Sequence, residues 1–142
     1  MTFSSAPLVP GSPAFSIDTV DRGEVVIIHA RGELDLAADP LLGATLALAD
    51  AAAKPVVVDL TEVTFCGSCV LGQLLAAGRR ITGDGRQMLV ATSQYVVLRP
   101  LTLLGLDRDI KIVPDVETAV RRLTQPLVAA VDPATDTTPE PA

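Results

Sequence analysis

Apolar and polar residues alternate in Phe15-Ser-Ile-Asp-Thr-Val, a period of two that predicts a half-buried strand. The turn residues Asp21, Arg22 and Gly23 follow, and Val25-Val-Ile-Ile-His-Ala-Arg then predicts a second strand, so the two form a hairpin. Asp39 with Pro40 behind it makes an N-cap and a first helical position, opening an Ala/Leu-rich helix to about Ala53. In that helix Leu41, Leu42, Leu46 and Leu48 fall on more than one face, a pattern shared by contact surfaces and by ordinary Ala-rich helices. Pro55 to Leu60 is a β-branched run without alternation, which suits a strand buried on both faces.

After Phe65-Cys-Gly-Ser-Cys, apolar residues at Val70, Leu71, Leu74, Leu75 and Ile81 form a helical stripe, with Gln73, Arg79 and Arg80 turned away. Gly83-Asp84-Gly85 ends it. Gln87 to Thr92 predicts a strand, and Ser93 is placed to cap a helix from Tyr95 to about Leu104. Pro100 removes a hydrogen bond inside that helix, so the helix is expected to start late, bend or split. Ile110 to Val113 is a last short strand; Asp115 caps a final helix with Val116, Ala119, Val120 and Leu123 at i, i+3, i+4 and i+7. The order β-β-α-β-α-β-α-β-α predicts an α/β fold, a mixed sheet with an initial antiparallel hairpin followed by β-α-β-α-β units and helices packed on it.

Composition narrows the possibilities. A chain of 142 residues fits one domain, and an apolar fraction of 49% with 20% charged residues supplies a core. Seven of the eleven prolines lie in residues 1–13 or 126–141, so residues 1–14 and 125–142 are expected to be flexible tails around a domain at 15–124. The C-terminal tail is rich in Pro and Thr and holds three acids (Asp132, Asp136, Glu140) and no base, half of the net charge of −6. An acidic chain repels phosphate backbones and anionic headgroups, and four aromatics without Trp give no base-stacking platform, so neither nucleic acid nor membrane is an expected partner. Without a basic flank before Arg22 or a long apolar run, the chain is expected in the cytoplasm.

Few residues carry chemistry. His29 is the single histidine and sits in an apolar strand, where a satisfied, partly buried side chain is expected. Cys66-Gly-Ser-Cys-Val is no nucleophile elbow, and Gly83-Asp-Gly-Arg lacks the lysine of a phosphate loop and follows a helix. Asp35 and Asp59 both lie near strand ends, where acids are usually solvated caps and a shared carboxylate site is the alternative. No metal or cofactor is expected. Cys66-x-x-Cys69 stands between a strand and a helix N-terminus, where backbone N–H groups stabilise a thiolate. Two readings stay open there: a dithiol redox pair, or two small half-buried residues in a tight turn.

Gly32-Glu-Leu-Asp-Leu-Ala-Ala-Asp-Pro-Leu-Leu, Val56-Val-Val-Asp-Leu-Thr-Glu-Val-Thr-Phe, Leu71-Gly, Ser93 and Gly105-Leu-Asp together resemble the STAS domain of bacterial anti-sigma factor antagonists, also called anti-anti-sigma factors. The likeness spans about Phe15 to Leu123. It implies a non-enzymatic domain that binds an anti-sigma factor with a histidine-kinase-like serine kinase fold and thereby frees a sigma factor for transcription. It further implies a switch: the kinase phosphorylates a serine at the N-terminus of the second helix, and about 1.5–2 negative charges break the contact. The resemblance places the partner-facing loop at Gly67, Ser68, Cys69, Val70 and Gly72, with Asp35 of the G-E-L-D stretch beside it, where a turn cap is the alternative role.

The family loop reads D-S-S-G-L with the second serine as acceptor, whereas this chain has Gly67-Ser68-Cys69-Val70-Leu71. The acceptor position is Cys69, and Ser68 is rotated from it by about 100° around a helix. The acid before the serines is Gly67. Phosphorylation at the family position is therefore expected to fail. That leaves an antagonist whose partner is not released by phosphate, or control by oxidation of Cys66 and Cys69.

Overall fold

The structure is a computed structural model that describes residues 15–125. The tails expected at 1–14 and 125–142 lie, apart from Gln125, outside the described residues. Strand β1 (Phe15–Asp21) pairs antiparallel with β2 (Val26–Leu34), and β3 (Val56–Cys66), β4 (Met88–Ala91) and β5 (Lys111–Val113) continue in parallel, in the order β1-β2-β3-β4-β5. The hairpin turns at Gly23, whose φ of +88° suits glycine and whose N–H donates to Asp21 Oδ1 at 2.8 Å. Lys54 closes the same corner on the Asp21 carboxylate at 2.8 Å.

Successive strand residues face opposite sides, and the chain uses this to build two unequal layers. Val26, Ile28, Val56, Val58 and Val90 face the larger core, against α1 (Asp39–Ala51), α2 (Ser68–Gly83) and α3 (Tyr95–Leu103). Ile27, Val57, Leu89 and Val113 face the smaller one, under α4 (Val116–Thr124). The sequence stripes explain the docking: Val70, Leu71, Leu74, Ala77 and Ile81 of α2 are buried, as is Ala119 of α4, with Val116, Val120 and Leu123 packed beside it. Asp115 caps α4 as expected, accepting from the Thr118 N–H at 2.7 Å.

Several local expectations are corrected. β3 does not stop at Leu60 but runs to Cys66, because β2 keeps pairing with it after β4 has ended at Asp59↔Ala91. Asp39 is not the cap of α1: it is its first residue with Pro40 second, and a 3-10 turn (Leu36–Ala38) precedes it, capped by Asp35 Oδ1 accepting from the Ala37 N–H at 3.0 Å. Ser93 does not cap α3: its N-cap is Gln94, without a side-chain capping bond, and Thr92 Oγ1 fixes that residue by accepting from the Gln94 N–H at 3.0 Å. Pro100 neither delays nor splits α3, which runs from Tyr95 through Leu103. The bond Pro100 forfeits would go to Val96, an exposed residue whose carbonyl water can serve, while Val97 and Leu101 anchor the helix in the core. Of the α1 leucines, Leu42 and Leu46 are buried and Leu41 and Leu48 are exposed.

Leu74 is fully buried where α2 meets the main layer. Leu74→Ala is expected to lower the unfolding free energy by about 2–5 kcal/mol, seen as a lower denaturant midpoint at unchanged slope.

Candidate protein-docking site

Past Asp59 β4 drops out and β3 pairs with β2 alone, with Arg31 opposite Glu62, Gly32 opposite Val63, Glu33 opposite Phe65 and Leu34 opposite Cys66. β1 flanks β2 as far as Gly32, after which β2 and β3 run on as a two-strand ribbon. The register shifts twice, between His29 and Arg31 and between Gly32 and Glu33, and at the second shift Thr64 is the extra residue of β3. That extra residue decides which side chains face outward. Val63 and Cys66 remain in the core, whereas Phe65, which strict alternation would direct inward with Val63, is turned out and 51% exposed.

The ribbon ends by joining the two segments that the sequence placed together. The Gly67 N–H donates to the Leu34 carbonyl at 2.8 Å, and the Gly67 carbonyl then accepts from the Val70 and Leu71 N–H groups, which starts α2. Gly67 is the N-cap residue in extended backbone conformation and offers no side-chain oxygen. A Cβ on it would lie 3.5 Å from the Leu34 carbonyl, 3.7 Å from the Phe65 ring and 3.8 Å from Asp35 Cα. Asp35, Phe65 and Gly67 therefore share one small surface. Asp35 is exposed and caps the Leu36–Ala38 turn, the alternative role foreseen for it, and the next residue, Leu36, is 74% exposed.

At the head of α2, Ser68 is exposed, Cys69 is half-buried and packed against the main core, Val70 is fully buried and Gly72 is exposed with open space where a side chain would be. The expected loop is thus one continuous segment with Val70 pointing inward as its anchor. Leu36 and Phe65 are the residues whose part in this surface sequence reasoning missed. The signal for Leu36 was its place behind a capping acid; the signal for Phe65 was absent, because a bulge cannot be read from one strand alone.

Cys66 and Cys69 are both free thiols. Burial, with Cys69 close by, pushes the Cys66 thiol up to about 12, so it stays protonated at neutral pH. Cys66 is therefore no nucleophilic thiolate, and no other observation supports the dithiol alternative. Nor does the structure bring Asp35 and Asp59 together: the seven residue steps of β3 from Asp59 to Cys66, where Leu34 pairs, span about 23 Å. Asp59 instead faces its cross-strand neighbour His29, with Nδ1 and Oδ2 2.7 Å apart. Its other oxygen accepts from the Thr61 N–H at 3.0 Å and hydroxyl at 2.6 Å, and His29 is satisfied as expected. Burial pushes the Asp59 carboxyl up, but the Thr61 and His29 hydrogen bonds outweigh it and hold the group below its ordinary 3.8. Among the described residues no group of three or more His, Cys, Asp or Glu side chains is placed to hold a metal ion, and no helix is long and apolar enough to cross a membrane.

Comparison with known proteins adds a family. The sequence pattern of the STAS domain matches residues 16–119. Rv2638 of Mycobacterium tuberculosis, whose name places it among anti-anti-sigma factors, is 31% identical over 109 residues, covering 75% of this chain and 74% of that protein. The anti-sigma-F factor antagonist RsfA of Mycobacterium tuberculosis is 29% identical over 114 residues, 78% of this chain and 89% of its own. The crystal structure of an anti-sigma factor antagonist from Mycobacterium paratuberculosis superposes with a TM-score of 0.72 at 25% identity, over 77% of this chain and 93% of that one.

Because a lowered carboxyl pKa stabilises above its unfolded value, the Asp59 contribution is complete above pH 3.8 and is lost as the pH falls through the lower folded value. Asp59→Asn is expected to cost about 1–3 kcal/mol near neutrality. In denaturant titrations from pH 7 to pH 2, the gap between wild type and Asp59→Asn should close below pH 4; a constant gap would contradict the assignment.

Proposed function

We propose, from the premise that the chain belongs to the STAS-domain family, that it binds an anti-sigma factor of the histidine-kinase-like serine kinase type and so regulates sigma-factor-dependent transcription in the cytoplasm. The docking face is the end of the β2–β3 ribbon with the head of α2: Asp35, Leu36, Phe65, Gly67, Ser68, Cys69 and Gly72. The observation that carries this is the meeting of the G-E-L-D turn and the α2 head through the Gly67 to Leu34 hydrogen bond. It leaves two large apolar side chains, Leu36 and Phe65, exposed beside the polar positions. Exposed apolar groups beside polar ones are what a protein partner covers. The chain acts by contact and catalyses nothing.

The control step differs from the one the family resemblance implies. A phosphate at the second position of α2 would sit near helix N–H groups that accommodate it, while its charge would oppose the partner. Cys69 occupies that position, half-buried against the core and without a hydroxyl. Ser68, one residue earlier, is exposed on a different face of the helix. The contact is accordingly not released by phosphate at this position.

Capture experiments with the kinase-type anti-sigma factors of the host test the partner: at least one is expected to bind the full chain, and binding by none would remove the proposed function while leaving the fold intact. With that kinase and ATP, wild type is expected to stay unmodified and Cys69→Ser to gain one phosphate by intact mass. Stoichiometric phosphate on wild-type Ser68 would show that the acceptor is one residue earlier.

A further inference from the structure

Gln73 lies a turn and a half into α2, among residues whose pattern predicted a solvent-facing side chain, yet it is turned toward α1. Its Nε2 donates to the Asp39 carbonyl at 2.7 Å and also to the Asp39 carboxylate. Its Oε1 points the other way, and a Cβ on Gly43 would come within 2.9 Å of it. The amide is held at both ends, by two acceptors on the first residue of α1 and by a notch that exists because residue 43 has no side chain. Asp39 directly follows the 3-10 turn Leu36–Ala38, whose Ala38 is fully buried and whose cap is Asp35. The same α2 that carries Gly67, Ser68 and Cys69 at its head thus holds the turn bearing Asp35 and Leu36.

We propose that Gln73 is a positioning residue for the docking face: it fixes the Asp35–Leu36 turn relative to the head of α2 and touches no partner itself. The two halves of the face come from segments more than thirty residues apart in sequence. The ribbon hydrogen bond from Gly67 to Leu34 aligns them on one side of the turn, and the Gln73 amide aligns them on the other. With one of these two supports removed, the turn can shift while the core layers stay closed, because Leu71, Leu74 and Leu42 remain buried between the helices and the sheet. Gly43 serves the same arrangement by leaving room for the amide oxygen.

The test uses site-resolved amide exchange and binding on the full chain. Gln73→Ala is expected to raise exchange at the Ala37 and Ala38 N–H groups, which donate to Asp35 Oδ1 and to the Asp35 carbonyl, roughly tenfold, the effect of losing about one hydrogen bond. Exchange at Val57 and Val58 of β3 should stay at the wild-type rate. Gly43→Ala should reproduce the effect by displacing the amide, and the double variant Gly43→Ala with Gln73→Ala should go no further than Gln73→Ala alone. Asp39→Asn, which keeps both accepting oxygens, should hold the wild-type rate. Unchanged exchange at Ala37 and Ala38 in Gln73→Ala, or an equal rise throughout the chain, would overturn the positioning role. The link to docking rests on the function proposed above. Toward a kinase-type anti-sigma factor captured by wild type, Gln73→Ala and Gly43→Ala should each bind roughly tenfold more weakly, and equal binding by Gln73→Ala would overturn the inference. If wild type captures none, the docking function fails, and the exchange data still decide whether Gln73 holds the turn.

Discussion

The pairing of β2 with β3 beyond the point where β4 stops is the constraint on which the functional end of the molecule depends. Up to Asp59 the central strand is clamped between two neighbours. Beyond it, only β2 remains, and the two strands run on to Leu34 and Cys66 before the Gly67 N–H closes onto the Leu34 carbonyl. Every residue of the proposed docking face is placed by that extension: the Asp35 turn because it leaves β2 there, the head of α2 because it leaves β3 there, and Phe65 because an extra residue at Thr64 turns it outward. Had β3 ended at Leu60, as its β-branched run alone suggests, the two loops would emerge about 20 Å lower, flush with the sheet.

Much of the fold was legible from the residues. The element order, the opening hairpin and the stripes on α2 and α4 follow from periodicity, since burial on one face imposes its period on the sequence. The Asp115 cap was legible because its bond closes within three residues. What stayed hidden depends on distant partners. The second half of β3 shows a mixed pattern because one edge is unpaired and two bulges interrupt it, which defeats any test for alternation. Asp39 looked like a cap because α1 starts from Ala38 without a side-chain cap, and the capping acid, Asp35, serves a 3-10 turn of only three residues before it. Gln73 looked solvent-facing because its acceptors lie on another helix. Pro100 suggested a broken helix because a lost hydrogen bond is visible in sequence and the burial of Val97 and Leu101 is not.

The candidate site was legible in part for the same reason. Asp35, Gly67, Ser68, Cys69, Val70 and Gly72 were placed by motif, and the structure gathers them, with Val70 facing the core and the others at or near the surface. Its apolar component, Leu36 and Phe65, was not placed, because exposure of a large apolar side chain is a property of the folded surface. The thiols illustrate how local sequence and burial diverge. A C-x-x-C pair at a helix N-terminus favours a thiolate by its position. Cys66, however, belongs to the strand that feeds the helix and lies in the core, where burial keeps it protonated. The sulfur at position 69 then acts in the proposed function through what it lacks, a hydroxyl that could carry charge.

The most direct test is to add the captured anti-sigma factor to isotopically labelled chain and map the backbone amides that shift. The account predicts perturbation confined to Asp35, Leu36 and the segment Phe65–Gly72, with α4 and the outer face of α3 at Tyr95, Arg99 and Leu103 unaffected. Shifts centred on α3 or α4, with the Asp35 turn and the head of α2 silent, would contradict it.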